Sequence, residues 1–175
     1  MPGREHGAAT SRTGLQRLGE DDPRHPNRDE EVTQMQRLGS GLVTNTSDVD
    51  CLEFDFGKVH FLSEPLVTGA KGFSFGVATL APGKAHARHN HPGSEEIIYF
   101  ISGEGEQMID DQAPVKVGPG TCVYIPADAY HSTLNTGSET MRLIVAYSPA
   151  GPERLLRDIP GCKVTERKIS AEVAG

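Results

Sequence analysis

From Cys51 to Tyr147 the sequence repeats one pattern: short runs rich in β-branched and aromatic residues, closed by Gly, Pro or Asp. Cys51 to Phe56 (CLEFDF) alternates apolar and acidic residues, the period of a half-buried strand. Further strands are expected over 58–62, 73–80, 85–91, 95–101, 104–109, 114–117, 121–125, 131–135 and 141–147. The turn signals between them include Ala81-Pro82-Gly83, Pro92-Gly93-Ser94, Ser102-Gly103 and Asp110-Asp111. Short strands at this spacing, with no sustained helical period, argue for an all-β sandwich or barrel. One short helix is expected over 152–158, ending before Pro160-Gly161.

Composition sets the limits of this domain. Residues 1–40 are polar and carry too few apolar side chains to offset the entropy of ordering, so they are expected to form a disordered, flexible N-terminal arm. The barrel is expected over 41–150 and a tail with the short helix over 151–175. The fragments LQRLG at 15–19 and MQRLG at 35–39 are similar, but matches this short arise by chance in a biased segment. A net charge of −7 lacks the basic footprint of a nucleic-acid binder, so no nucleic-acid partner is expected. Apolar runs such as Ile97 to Ile101 are far too short to span a bilayer, and no membrane partner is expected. The N-terminus carries no apolar signal-peptide core. Three widely spaced cysteines (Cys51, Cys122, Cys162) form no disulfide framework, and a reduced, cytoplasmic protein is the expectation.

The chemistry concentrates between Gly83 and Gly103 (GKAHARHNHPGSEEIIYFISG). His89 and His91 are two residues apart, so a strand through them aims both imidazoles to one side. Glu95 and Glu96 open the next strand, and regular alternation turns one of them inward. His131 begins another strand forty residues further on. Three imidazoles and a carboxylate suit a divalent transition metal (Fe, Mn, Zn, Ni or Cu) better than calcium or magnesium. Any one of these histidines alone would be an ordinary surface or hydrogen-bonded residue. His86 is an odd number of residues from His89 and His91 and is expected to face away, as a rim residue or one that supports the ligands from outside, rather than as a fifth ligand. Arg88 and Tyr130 flank the cluster as candidate substrate-binding residues: Arg88 to hold an anionic substrate at its mouth, although a solvated Arg is the commoner role, and Tyr130 to line the mouth, with solvent-side packing the equal alternative. Tyr99 and Tyr124 read as packing residues, and His60 as an ordinary strand residue.

These residues carry a resemblance to the cupin superfamily of small jelly-roll (double-stranded β-helix) barrels. The first motif of that family, Gly-x5-His-x-His-x3–4-Glu-x6-Gly, is met by Gly83, His89, His91, Glu96 and Gly103, and its last interval selects Glu96 over Glu95. The second, Gly-x5-Pro-x-Gly-x2-His-x3-Asn, is met by Gly120, Pro126, His131 and Asn135, with Asp128 where the family has Gly. Asp tolerates a positive φ, so the turn is expected to survive. The resemblance implies a metal-dependent barrel holding its ion on His89, His91, Glu96 and His131 and acting on a small molecule. A dioxygenase-type oxidoreductase is the leading expectation. A non-redox isomerase or lyase, with Glu96 moving a proton, and a non-catalytic small-molecule binder are the alternatives. Single-barrel cupins pair their sheets, so the resemblance also implies a homodimer, with the β-rich segment before Gly83 supplying the pairing strand.

Overall fold

The computed structural model describes residues 35–167. Along the chain lie β1 (Gln36–Leu38), β2 (Gly41–Val43), a single 3-10 turn (Thr46–Asp48), β3 (Cys51–Glu53), β4 (Gly57–Ser63), β5 (Ser74–Leu80), β6 (Ala85–His89), β7 (Glu95–Ser102) and β8 (Gly105–Ile109). There follow β9 (Val115–Val117), β10 (Cys122–Ile125), β11 (His131–Asn135), β12 (Met141–Ser148), the helix α1 (Pro152–Arg157) and β13 (Lys163–Thr165). A large sheet runs β10-β7-β12-β5-β4-β3-β13 and a small one β6-β11-β8-β9, with every pairing antiparallel. This is the all-β architecture expected from the strand pattern, and it agrees with the jelly-roll that the cupin resemblance implied.

Alternation decides what each sheet buries. On β7, Glu96, Ile98 and Phe100 turn inward while Glu95, Ile97, Tyr99 and Ile101 face out. On β12, Met141, Leu143, Val145 and Tyr147 turn inward beside them. With Leu52, Phe61, Leu80 and Ile125 these form the core. Each fully buried side chain of this size contributes about 1.5–3 kcal/mol relative to exposure. Gly103, which follows β7, has φ 87°, and a Cβ there would lie 2.7 Å from the Met141 Cα. Only glycine fits that turn against β12.

Several segments differ from the sequence reading. The strand expected over Cys51 to Phe56 ends at Glu53, because Phe54 and Gly57 exchange backbone hydrogen bonds (2.8 and 3.3 Å) and turn the chain into β4. β1, β2 and β13 went unread: at three residues each (QRL, GLV, KVT), and largely exposed, they carry no alternation. The second LQRLG-like copy, 35–39, forms β1 and the turn at Gly39 that leads into β2, so residues 36–40 of the expected disordered arm are part of a hairpin. The first copy, and residues 1–34 of the expected arm, lie outside the described residues. Helix α1 falls where expected. Arg157 on it clamps Glu64 with two hydrogen bonds (2.7 and 3.3 Å), a largely buried ion pair that fixes the helix to the loop after β4.

Candidate metal centre

Three elements bring the cluster together. β6 ends at His89, the loop after it carries His91, β7 opens with Glu95-Glu96, and β11 begins at His131. The antiparallel register sets His131 directly opposite His89. One ligating atom from each of His89, His91, Glu96 and His131 lies within 4.8 Å of the others. His91, Glu96 and His131 are buried, Glu96 at 3% exposure and His131 at 1%, whereas His89 is partly exposed. The site therefore opens on the side of His89. Glu95 points out of the barrel and accepts a 2.8 Å hydrogen bond from the Tyr124 hydroxyl, so the inward carboxylate is that of Glu96.

Backbone carbonyls set the imidazole tautomers. A carbonyl can only accept, so His89 Nδ1–H donates to Ala87 O (2.7 Å) and His131 Nδ1–H donates to Ala129 O (3.1 Å). That leaves Nε2 of each ring as a lone pair directed into the cluster. His89 Nε2 meets His91 Nε2 at 3.2 Å, and His131 Nε2 meets Glu96 Oε2 at 2.9 Å. Although so close, Glu96 Oε2 and His131 Nε2 are not aligned as donor and acceptor, and both remain buried without a hydrogen-bond partner. Lone pairs facing one another in a dry site require a proton or a cation between them. The donor set, three neutral imidazole nitrogens and one carboxylate oxygen, fits a divalent transition ion.

The electrostatics agree with that fit. Burial alone would raise the Glu96 carboxyl, but where a proton fills the place of a cation, hydrogen bonds from His131 and His91 and then their charge outweigh it and hold the group at about 2. Burial, with the neighbouring His86 and His131, lowers the His89 imidazole to about 3, against the opposing pull of the Ala87 carbonyl. Both groups are thus in their metal-binding protonation states at neutral pH.

Asp128 takes φ 67° in the turn before β11. It also knits the two motif segments together. Its amide N–H donates to His91 O (3.2 Å), its Oδ1 accepts from Gly93 N–H (3.2 Å), and its carbonyl accepts from Asn90 Nδ2 (3.3 Å). Asn135, the last residue of the second motif, is fully buried and donates to Leu80 O (2.9 Å) and Glu139 O (2.8 Å), a structural role.

Other residues fall elsewhere than the sequence suggested. Arg88 and Tyr130 do not line the mouth. Arg88 is bound by both carboxylate oxygens of Asp111 (2.6 Å each), and its guanidinium lies 3.8 Å from the centre of the Tyr130 ring, on the exposed surface. Each directly precedes a cluster histidine in sequence, yet Arg88 is exposed in the irregular part of β6 and Tyr130 lies in the turn before β11. Tyr99 and Tyr124 stand exposed on the outer face of the large sheet rather than packed in the core. His86 does not face away. β11 advances two residues, from His131 to Thr133, while β6 advances three, from His89 to His86. That bulge breaks the alternation and places the His86 ring 4.0 Å, centre to centre, from His89. Tyr147 was missed, although its phase with Val145 marks it as inward. It is buried 4.7 Å from the His91 ring, and burial, reinforced by the Glu96 charge, pushes its phenol well above 10.

A jelly-roll barrel with three imidazoles and a carboxylate converging inside it defines a class, and comparison with known proteins gives that class its name. The Cupin domain family matches residues 76–147, from β5 to β12. The segment from β5 to β12, which carries all four cluster residues, is thus similar to the cupin domains. It is 33% identical over 98 residues to the polyketide synthase CurC of Streptomyces cyaneus, covering 55% of this chain and 62% of that protein. It is 33% identical over 97 residues to the glucose-6-phosphate isomerase of Thermococcus kodakarensis, covering 52% of this chain and 47% of that one. The match thus spans less than two thirds of either relative's length. The structure of KdgF from Halomonas sp. superposes with a TM-score of 0.55 at 13% identity, over 63% of this chain and 97% of that one, and shows the shared fold.

Proposed function

We propose that this cupin-like chain holds one divalent transition metal on His89, His91, Glu96 and His131 and acts on a small, oxygen-bearing organic molecule bound on the side of His89. The observation that carries this reading is the set of inward lone pairs left without partners at Glu96 Oε2 and His131 Nε2. Bound there, a divalent ion supplies Lewis acidity toward a carbonyl or carboxylate oxygen. The chain's own residues orient and desolvate. The Ala87 and Ala129 carbonyls fix the ring tautomers, and the core wall beneath excludes water. Glu96 lies between His91 and His131, away from the open side, which favours holding the ion over moving a substrate proton.

Non-redox chemistry on a chelating substrate, such as isomerisation or elimination, is the reading we favour. The likeness to a glucose-6-phosphate isomerase over 52% of this chain supports it. Dioxygenase chemistry would use the same four residues, with two coordination positions open on an octahedral ion. An oxygen electrode separates the two. Turnover of candidate hydroxy- and oxo-acids or sugar phosphates under anaerobic conditions supports the first, and substrate-dependent dioxygen uptake by the iron-loaded protein overturns it.

We also propose a homodimer formed across the outer face of the large sheet, where Ile97, Tyr99, Ile101 and Tyr124 stand exposed together. Light scattering giving a monomer mass at micromolar concentration would reject it. No described helix is long and apolar enough to cross a membrane. The three cysteines are unpaired, which supports a reducing, cytoplasmic setting.

A further inference from the structure

The fourth histidine beside the cluster has no place in the ligand set. His86 lies on β6, three residues before His89, and reaches the same face only because of the bulge at residues 87–88. A bulge forfeits a regular ladder position, and bulges recur beside active sites because they re-aim a side chain. Here the side chain re-aimed is His86. Its ring sits 4.0 Å from His89 on one side and 4.8 Å from Phe56 on the other, and Phe56 is in turn stacked on Phe54 at 4.8 Å. The aromatic stack holds the imidazole in place without using its nitrogens. The ring is half-buried, so its nitrogens stay open to a molecule that enters from this side.

Its location supplies the account. Of the four cluster residues only His89 is partly exposed, so a molecule that joins the site from solvent arrives beside His89, where His86 stands. We infer that His86 is a positioning residue which hydrogen-bonds the exogenous oxygen or nitrogen ligand held at this site. The inference rests on the metal reading above and adds to it the residue that meets the substrate. The competing explanation is that His86 is only a flat filler between Phe56 and His89, and the two separate cleanly. His86→Phe keeps a flat ring in the stack and removes both nitrogens, whereas His86→Gln restores a donor and an acceptor without the ring.

The experiment uses the full chain loaded with cobalt(II), as wild type, His86→Phe and His86→Gln. Metal per chain is measured first by elemental analysis. Azide, and then acetohydroxamate as a bidentate probe, are titrated in and followed by the visible cobalt spectrum. We expect equal cobalt in all three proteins, about tenfold weaker binding of both probes to His86→Phe, and recovery of most of that loss in His86→Gln, the size expected for one hydrogen bond to a charged ligand. Wild-type probe affinity in His86→Phe would overturn the inference in favour of packing alone. Loss of cobalt from His86→Phe would overturn it in favour of a metal ligand. Absence of cobalt from the wild type would instead bring down the metal reading and the inference with it. If His86→Phe misfolds by circular dichroism, His86→Leu serves as the apolar variant, with the same expected loss of probe binding and the same overturning results.

Discussion

The two sheets of the barrel do different work. The large sheet is built for burial: β7 and β12 each turn every second residue into the core, and Phe100, Met141 and Leu143 there are almost wholly hidden. The small sheet supplies most of the chemistry. β6 and β11 face each other through His89 and His131, their inward positions are polar, and their register is broken by a bulge. One side chain crosses the division: Glu96 comes from the large sheet and closes the cluster. The large sheet holds a single inward charge because its neighbours bury so much apolar surface. Both sheets carry register shifts, but the one between β6 and β11 falls at the cluster and decides which rings converge.

If this division is right, damage to the two sheets should separate. Phe100→Ala, in the large sheet, should cost about 3–5 kcal/mol of stability by denaturant unfolding, while the folded fraction still binds metal one to one. His131→Ala, in the small sheet, should lower metal affinity by more than about 100-fold, beyond the 10–100-fold cost of losing an outer hydrogen-bond partner, as measured by competition with a chromophoric chelator. Glu96→Gln should approach that loss, whereas Glu95→Gln, which disturbs only the exposed bond to Tyr124, should leave metal affinity unchanged. Equal effects of the two Glu changes would mean that β7 is out of register.

Acid sharpens the comparison further. His89 and His86 are held at about 3 and about 4, below the ordinary 6.5, so between those values the unfolded chain binds more protons than the folded one. Their contribution to stability is complete above pH 6.5 and is lost as pH falls through 6.5 toward 4 and then 3. Glu96, held at about 2, adds a loss of the same sign below its ordinary 4.5. The chelator-treated protein should therefore melt at a lower temperature at pH 5 than at pH 7.5, and His89→Phe should flatten that dependence. The smallest effect is expected at Asp128→Gly. The positive φ remains available, but the tether to Gly93 is lost, for about 1 kcal/mol by thermal unfolding.

Regularity also explains what could be read in advance. On β7 and β12 the alternation is unbroken, so the sequence identifies Glu96 rather than Glu95 as inward, and Tyr147 could have been found by the same count. On β6 the count fails at the bulge, and His86 was assigned to the wrong face. A bulge is set by pairing with β11, forty-odd residues away, and leaves no mark in the local pattern. Arg88 and Tyr130 were misplaced for a different reason. Proximity in sequence to a cluster histidine suggested proximity in space, but Arg88 is exposed in the irregular part of β6, Tyr130 lies in the turn before β11, and Asp111 was there to bind Arg88. Asp128 was legible as a turn residue through its tolerance of positive φ. Its hydrogen bonds to the His91 loop depend on tertiary approach and were not.

The central claim is that four side chains from β6, its following loop, β7 and β11 share one cation. Elemental analysis of the full-length protein, purified without chelator, tests it most directly. The account predicts close to one transition-metal ion per chain, absent from His131→Ala prepared in parallel. A wild-type protein that carries no such ion and takes up none from iron, manganese, nickel, copper or zinc would contradict it.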